Sequence, residues 1–124
     1  MARPPLTLKK RREFLACARA RRWVAPGLIL QGRERRDGEA EGLRAGYTCS
    51  KKVGNAVLRN RAKRRLRAAA AEVLPSAGRD GWDYVLIGKA DATVSRPFAS
   101  LLQDLRTALE RIHAPRKPRE GTPS

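Results

Sequence analysis

Basic side chains are concentrated between positions 51 and 67, where the sequence could bind anions. Exposed helices usually mix the two signs, because opposite charges four residues apart stabilise a helix by about 0.2–0.5 kcal/mol and like charges destabilise it by a similar amount. A segment that keeps such repulsion is predicted to contact phosphate groups. It contains no acidic residue and eight basic ones: Lys51, Lys52, Arg59, Arg61, Lys63, Arg64, Arg65 and Arg67.

Two asparagines lie within this basic segment. Asn60 could bond a base edge, a sugar hydroxyl or a neighbouring carbonyl, or it could simply order the arginines beside it. Gly54 and Asn55 predict a turn, with Asn55 as the N-cap of a helix that begins near Ala56. Free N–H groups at a helix start also attract anions.

The other groups that could perform chemistry form no catalytic constellation. Two-metal hydrolysis needs clustered carboxylates. The 12 acidic residues are scattered, and four fall in one charged, glycine-rich stretch: Glu34, Asp37, Glu39 and Glu41. His113 is the only histidine, while Cys17 and Cys49 match neither a CxxC pair nor a disulfide framework. We therefore predict no catalytic residue, no metal site and two reduced thiols in a cytosolic protein.

The composition predicts one basic domain. The chain has 124 residues, a formal net charge of +16 and 41% hydrophobic residues, which is enough for a core. The positive charge favours a phosphate polymer as partner over a membrane surface or an acidic protein. No apolar run approaches the ~20 residues that span a bilayer.

Periodic apolar residues predict three helices. The first begins at Thr7 or Arg11 and ends at Ala20; the third follows Ser95, predicted as its cap, with Pro97 in its first turn. The apolar stripe predicted on the third helix contains Phe98, Leu101, Leu102, Leu105, Leu109 and Ile112. The second runs from the Asn55 cap until Pro75 and Gly78 end it. On this second helix the predicted buried arc contains Leu58, Ala62, Leu66, Ala69 and Val73. Its opposite arc and flanks contain Arg59, Asn60, Arg61, Lys63, Arg64 and Arg67.

Shorter apolar patterns predict the strands. Leu28–Leu30 is a short apolar run, and residues 43–49 alternate between apolar and polar as in a half-buried strand. Residues 84–87 are apolar at both odd and even positions, as in a central strand that is buried on both faces. Glycines and charges over residues 32–42 predict a loop.

The segment SKKVGNAVLRNRAKRRLR, residues 50–67, resembles the signature of the bacterial ribonuclease P protein component. The Arg59-Asn60-Arg61 run follows a Lys-Lys-x-Gly-Asn-Ala turn, as in that family. Weaker likeness extends over residues 8–112, at Glu13-Phe14, Leu43-Arg44-x-Gly46 and Asp83-Tyr84-Val85.

The resemblance implies a single α+β domain of order α-β-β-β-α-β-α. It implies a four-stranded sheet packed by helices and a left-handed βαβ crossover around the basic helix, against the usual right-handed rule. The further strand would lie near residues 22–24 or within Leu28–Leu30. We expect a loosely ordered basic segment at residues 1–10, an RNA-binding domain at 11–112 and a disordered tail at 113–124.

The resemblance also implies a function. Proteins of this family are the small subunit of a cytoplasmic ribonucleoprotein that removes 5′ leaders from precursor tRNA, with one protein per RNA. The large RNA supplies the active site and the Mg²⁺ ions, so no catalytic residue or metal site is expected in the protein. The residues expected to bind that RNA, here called the RNA-contact set, are Lys51, Lys52, Asn55, Arg59, Asn60, Arg61, Lys63, Arg64 and Arg67.

The single-stranded leader is expected in a cleft between the first helix and the sheet. The residues expected there, here called the leader set, are Arg11, Arg12, Phe14 and Lys89. Two positions depart from the family pattern, since Ala18 and Gln31 stand where aromatic residues are often found. Stacking should therefore contribute less to leader binding, and positive charge more.

Two other functions fit part of the pattern. A basic ribosomal protein or RNA chaperone would explain the charge, but it would not require the continuous motif from Lys51 to Arg67. A DNA-binding helix could place Asn60 and Arg61 in a major groove, but here a strand follows the basic helix and no dimerising element is evident.

Overall fold

The computed structural model describes residues 5–36 and 42–114, which form an α+β domain. The elements, in chain order, are β1 (Leu6–Thr7), α1 (Arg11–Ala18), β2 (Arg21–Val24), β3 (Leu28–Glu34), β4 (Arg44–Cys49), a 3₁₀ turn (Lys51–Val53), α2 (Ala56–Ala77), β5 (Trp82–Gly88), α3 (Ala92–Ser95) and α4 (Phe98–His113). None of the helices described is long and apolar enough to cross a membrane.

The strands form one mixed sheet in the order β1-β4-β5-β3-β2. β4 runs parallel to β5, and β3 runs antiparallel to both β5 and β2. Because α2 connects the parallel neighbours β4 and β5, the expected βαβ unit around the basic helix is present. The left-handed sense of its crossover stays a prediction.

The main core lies between one face of the sheet and the helices α2 and α4. Leu30 pairs with Leu86, and Tyr84 pairs with Ala45, so these four side chains share a face, and each is fully buried. The residues buried against them from α2 and α4 include Leu66, Ala69, Val73, Leu101, Leu105 and Leu109. The apolar stripes predicted on the second and third helices are confirmed.

The opposite face of the sheet carries a smaller cluster under α1. Leu8, Cys17 and Val85 are buried there, and Phe14 and Ile87 pack against them in part. Cys17 and the half-buried Cys49 are both free thiols. Burial raises the pKa of Cys17 to about 12, so this thiol stays protonated at neutral pH.

The sheet has one strand more than the four expected. β1 pairs with β4 through Leu6 and Thr7, and the following Leu8 is 4% exposed. Ordered contacts therefore begin before residue 11, where we placed the domain start. β2 is the expected further strand near residues 22–24 and is separate from β3. His113, which we placed in the tail, is the last residue of α4; residues 115–124 lie outside the described residues.

The prediction that a loop begins at Gly32 is wrong, because β3 continues to Glu34. Gly32 pairs with Arg21 on one side and Tyr84 on the other, so hydrogen bonds from two neighbouring strands outweigh the polar local composition. Glu34 is therefore a strand residue. Asp37, Glu39 and Glu41 lie outside the described residues.

The predicted Ser95 cap is also wrong. Ser95 is the last residue of the short α3, where its hydroxyl donates to the Asp91 carbonyl at 2.8 Å, and α4 begins only at Phe98 with Pro97 as its N-cap. A residue before proline avoids the helical region. Arg96 is accordingly extended, with φ −68° and ψ 138°, and it separates the two helices. In α2 the chain stays helical through Pro75 and ends at Ala77, before Gly78.

Candidate nucleic-acid interface

The start of α2 is fixed by the predicted cap. The side-chain oxygen of Asn55 accepts a hydrogen bond from the Leu58 N–H at 3.0 Å. Such a cap satisfies one of the N–H groups that a helix leaves without a partner at its first turn. This geometry fixes where the basic residues fall on the helix, and it gives Asn55 a structural role in addition to its place in the RNA-contact set.

The helix is amphipathic in the sense that the sequence predicts. Ala62, Leu66 and Ala69 are fully buried, while Leu58 at the end nearest the cap is half-buried. Around the rest of the helix the RNA-contact residues Arg59, Asn60, Arg61, Arg64 and Arg67 are exposed, and Lys63 is half-buried. Lys51 and Lys52 are exposed on the 3₁₀ turn before the helix. The third residue of this turn, Val53, is buried and anchors the turn in the core.

The exposed cations of α2 are not neutralised within the part of the chain that the structure describes. Ion pairs in residues 5–36 and 42–114 involve Arg33, Arg35, Arg44 and Arg96, and none involves a cation of the RNA-contact set. Arg67 lies over the Tyr47 ring, with its guanidinium carbon 5.4 Å from the centroid. The like-charge repulsion along the helix is therefore not offset by carboxylates in these ranges.

Arg65 differs from its neighbours. Its Nε donates to the Thr93 carbonyl at 2.9 Å, and one of its terminal nitrogens donates to the Arg96 carbonyl. Its guanidinium carbon lies 5.8 Å from the centroid of the Phe98 ring. Arg65 thus connects α2 to the segment between α3 and α4, which is a structural role that charge counting along the sequence does not reveal.

Asn60 lines a pocket where α2 meets the end of β4. The pocket has a volume of about 300 Å³, and it is lined by Thr48, Cys49, Ala56, Arg59, Asn60 and Lys63. An amide beside two cations in such a space can bond a sugar or base while the cations hold phosphates. Burial raises the pKa of Cys49, whose thiol donates to the Arg59 carbonyl at 3.7 Å.

The face of the sheet under α1 contains a half-covered apolar row. Val24 pairs with Ile29, and Ile29 pairs with Ile87, so the three side chains lie side by side across three strands. Val24 is 51% exposed, whereas Ile29 and Ile87 are half-buried. Sequence reasoning missed this row, because β2 and its register could not be read from the sequence.

Phe14 of the leader set lies at this face. It packs against the cluster of Leu8, Cys17 and Val85 and is half-buried. Its ring lies so close to β4 that a Cβ at Gly46 would be 2.5 Å from its Cζ. Gly46 therefore makes room for the ring. One side of the Phe14 ring therefore packs against the sheet, while part of the ring remains accessible to solvent.

The charged members of the leader set lie on two different elements. Arg11 and Arg12 are exposed in the first turn of α1, where positive charge is unfavourable for the helix dipole and so adds no stability. Lys89 directly follows β5, and its ammonium group donates to the Ala25 carbonyl at 3.0 Å. Lys89 therefore also holds the connection between β2 and β3 in place.

A buried ionic cluster beside this face was not foreseen from the sequence. Asp83 is fully buried, and Arg44 binds both of its carboxylate oxygens, from Nε and Nη2, at 2.8 Å each. Arg35 donates to the same carboxylate at 2.6 Å, and Arg44 reaches Glu13 at 2.9 Å. The hydrogen bond to Asp83 raises the pKa of Arg44, and the Lys10 N–H lowers the pKa of Glu13.

The cluster explains three separate pieces of the sequence resemblance. Glu13, Arg44 and Asp83 belong to short matching fragments that are far apart along the chain. In the fold they meet and join α1, β4 and β5. They are thus signals of the fold, whereas the motif at residues 50–67 forms the exposed basic surface.

These features define the class of the molecule: a small α+β domain that offers one cationic helix face to a polyanion. The described residues contain no group of three or more His, Cys, Asp or Glu side chains that could hold a metal ion. The comparisons with known proteins specify the class further. The family model described as Ribonuclease P matches residues 3–113.

Relatives and solved structures agree with that match. The ribonuclease P protein component of Ruegeria pomeroyi is 64% identical over 109 residues, which cover 88% of this chain and 87% of the relative. That of Paramagnetospirillum magneticum is 54% identical over 113 residues, covering 89% and 84%. The RNase P protein from Thermotoga maritima has the same fold, with a TM-score of 0.71, 23% identity and coverage of 87% of this chain and 98% of that one.

This chain belongs to the ribonuclease P protein family. It is the protein component of the endoribonuclease ribonuclease P, and so an RNA-binding subunit of a ribonucleoprotein in tRNA processing.

Proposed function

We propose that this chain binds the catalytic RNA of ribonuclease P through the RNA-contact set and the 5′ leader of precursor tRNA through the leader set. The RNA would carry the active site and its Mg²⁺ ions and would remove the leader. The protein would hold the leader beside that site. One protein would bind one RNA in the cytoplasm, and the two free thiols fit a reducing compartment.

The observation that carries the proposal is the cationic face of α2, which has no carboxylate partner within the described residues. RNA phosphates would neutralise this face and would release the counterions held along the RNA. The pocket beside Asn60 offers room for a sugar or base next to the phosphate contacts.

The leader proposal is supported by the half-covered face under α1. Single strands bind to grooves that combine cations with apolar or aromatic platforms. Val24, Ile29 and Ile87 supply an apolar row, Phe14 a ring, and Lys89 a cation at the end of β5. Because Ala18 and Gln31 supply no further ring, we expect charge to account for more of the leader affinity than stacking.

Reconstitution with the RNA subunit tests both parts of the proposal. Wild-type protein should restore cleavage of precursor tRNA by its ribonuclease P RNA at low Mg²⁺. Lys89→Gln should weaken binding of a precursor with a long leader by about threefold to tenfold, and should leave binding of a precursor with the shortest leader unchanged.

The matched control is Arg106→Gln, which removes one exposed charge from α4 on a residue outside both sets. It should behave as wild type with both precursors. Failure of the wild-type protein to restore cleavage would refute the function. An equal loss with long and short leaders would remove Lys89 from the leader set.

A further inference from the structure

We propose that a second pocket on α2 binds an unpaired nucleotide of the catalytic RNA. This pocket, here called the Phe98 pocket, is lined by Arg61, Arg64, Arg65, Ala68 and Phe98. The base of this nucleotide would lie against Phe98 and Ala68, and the backbone phosphates beside it would contact Arg61 and Arg64. The inference rests on the proposed function, and it names a contact that the RNA-contact set alone does not include.

The Phe98 pocket lies along one stripe of α2. Residues 64 and 65 each lie three or four positions from both 61 and 68, so the four residues share one side of the helix. Phe98 enters from the first turn of α4. The volume is about 590 Å³, which is larger than that of the pocket beside Asn60. The two pockets have different linings, so they are separate sites on the same helix.

The floor and the walls of the Phe98 pocket have opposite character. Ala68 is exposed and Phe98 is half-buried, so the floor of the pocket presents apolar surface to solvent. Arg61 and Arg64 are exposed beside it, and neither is paired with a carboxylate within residues 5–36 and 42–114. A ligand that fits must be flat and apolar on one side and anionic on the other.

Arg65 makes the Phe98 pocket rigid. Its guanidinium is held by the Thr93 and Arg96 carbonyls, and it lies 5.8 Å from the Phe98 centroid. A guanidinium that is already fixed loses little conformational entropy when a ligand arrives. Its planar group and the ring together present a preformed surface for a base.

An unpaired nucleotide satisfies these requirements better than an apolar peptide or a lipid chain. An apolar partner would remove water from Arg61 and Arg64 without giving them anionic partners, which is costly. Arginine forks bind phosphate in a bidentate manner. A base in a double helix is covered on both faces by its neighbours, so the nucleotide must be unpaired.

The test fills the Phe98 pocket without changing charge. Ala68→Leu places a larger side chain in the pocket, and Ala71→Leu makes the same change at an exposed position of α2 outside its lining. We expect Ala68→Leu to weaken binding of the full-length ribonuclease P RNA transcript about tenfold. The slope of log K against log salt concentration should stay close to its wild-type value, since the variant keeps Arg61, Arg64 and every other cation of the helix. Ala71→Leu should bind as wild type does.

A second variant tests the aromatic ring. Phe98→Leu retains an apolar side chain against the core but loses the ring, and it should also weaken RNA binding at unchanged salt slope, with circular dichroism confirming the fold. If wild-type protein binds the RNA while Ala68→Leu and Ala71→Leu bind equally well, the inference is overturned and the proposed function stands. If wild-type protein does not bind the RNA, the proposed function itself fails.

Discussion

At the scale of single residues, the histidine that the sequence shows as isolated has a specific partner. His113 Nε2 lies 2.6 Å from the Tyr84 hydroxyl, which also accepts the Arg79 N–H at 3.0 Å. The hydroxyl and the imidazole share a hydrogen bond whose direction is set by the tautomer of His113. Burial, with the charges of Arg79 and Arg21, lowers the pKa of His113 to about 4. His113 is thus a packing residue that fixes the end of α4 against β5.

This contact makes stability depend on pH. Between about pH 6.5 and pH 4 the unfolded chain binds a proton on His113 that the folded protein excludes, so the free energy of unfolding should fall as the pH falls through this window. We expect the urea midpoint of wild type to drop more between pH 7 and pH 4.5 than that of His113→Gln. Carboxylates titrate in both proteins and cancel in the comparison. Equal drops would show that His113 is not held neutral.

At the scale of elements, the ionic cluster around Asp83 joins α1, β4 and β5 beside the small apolar cluster under α1. Arg44 of β4 pairs with both Asp83 of β5 and Glu13 of α1. Arg35, which follows β3, also pairs with Asp83. Removing one partner from a buried ion pair leaves the other charges uncompensated. The cluster should therefore stabilise the α1 side of the sheet, where the leader set lies.

Asp83→Asn tests the cluster. Because it removes the buried negative charge that binds both Arg44 and Arg35, we expect a loss of about 3–5 kcal/mol in the free energy of unfolding, measured by urea denaturation. Asp80→Asn removes the same charge at an exposed position and should change stability by less than about 0.5 kcal/mol. Similar midpoints for the two variants would contradict the structural role.

Local patterns predicted α2, β4, β5 and the stripe of α4, because each depends on side chains that are close together along the chain. They did not predict the extent of β3 or the pairing of β1, which depend on distant strands. The same limit applies to the sites. The basic face of α2 follows from helical spacing, whereas the Asp83 cluster and the Phe98 pocket require residues that only the fold brings together.

At the scale of the whole molecule, the placement of acidic groups is uneven. The chain carries a net charge of +16. The ion pairs of the described residues nevertheless form two groups, one around Asp83 with Arg33, Arg35, Arg44 and Glu13, and the other between Arg96 and Asp104. The cations of α2 are outside these pairs. A molecule that satisfies its buried charges and leaves one surface positive is arranged to complete that surface with a polyanion.

The most direct test of this account is the salt dependence of RNA binding. Arg59→Gln removes one cation from the exposed face of α2, and Arg106→Gln removes one from the exposed side of α4. We predict that Arg59→Gln weakens binding to ribonuclease P RNA and lowers the slope of log K against log salt concentration by about 0.7–0.9, with thermal stability unchanged, while Arg106→Gln leaves the slope at its wild-type value. An unchanged slope for Arg59→Gln, or an equal reduction for both variants, would contradict the assignment of the α2 face to RNA.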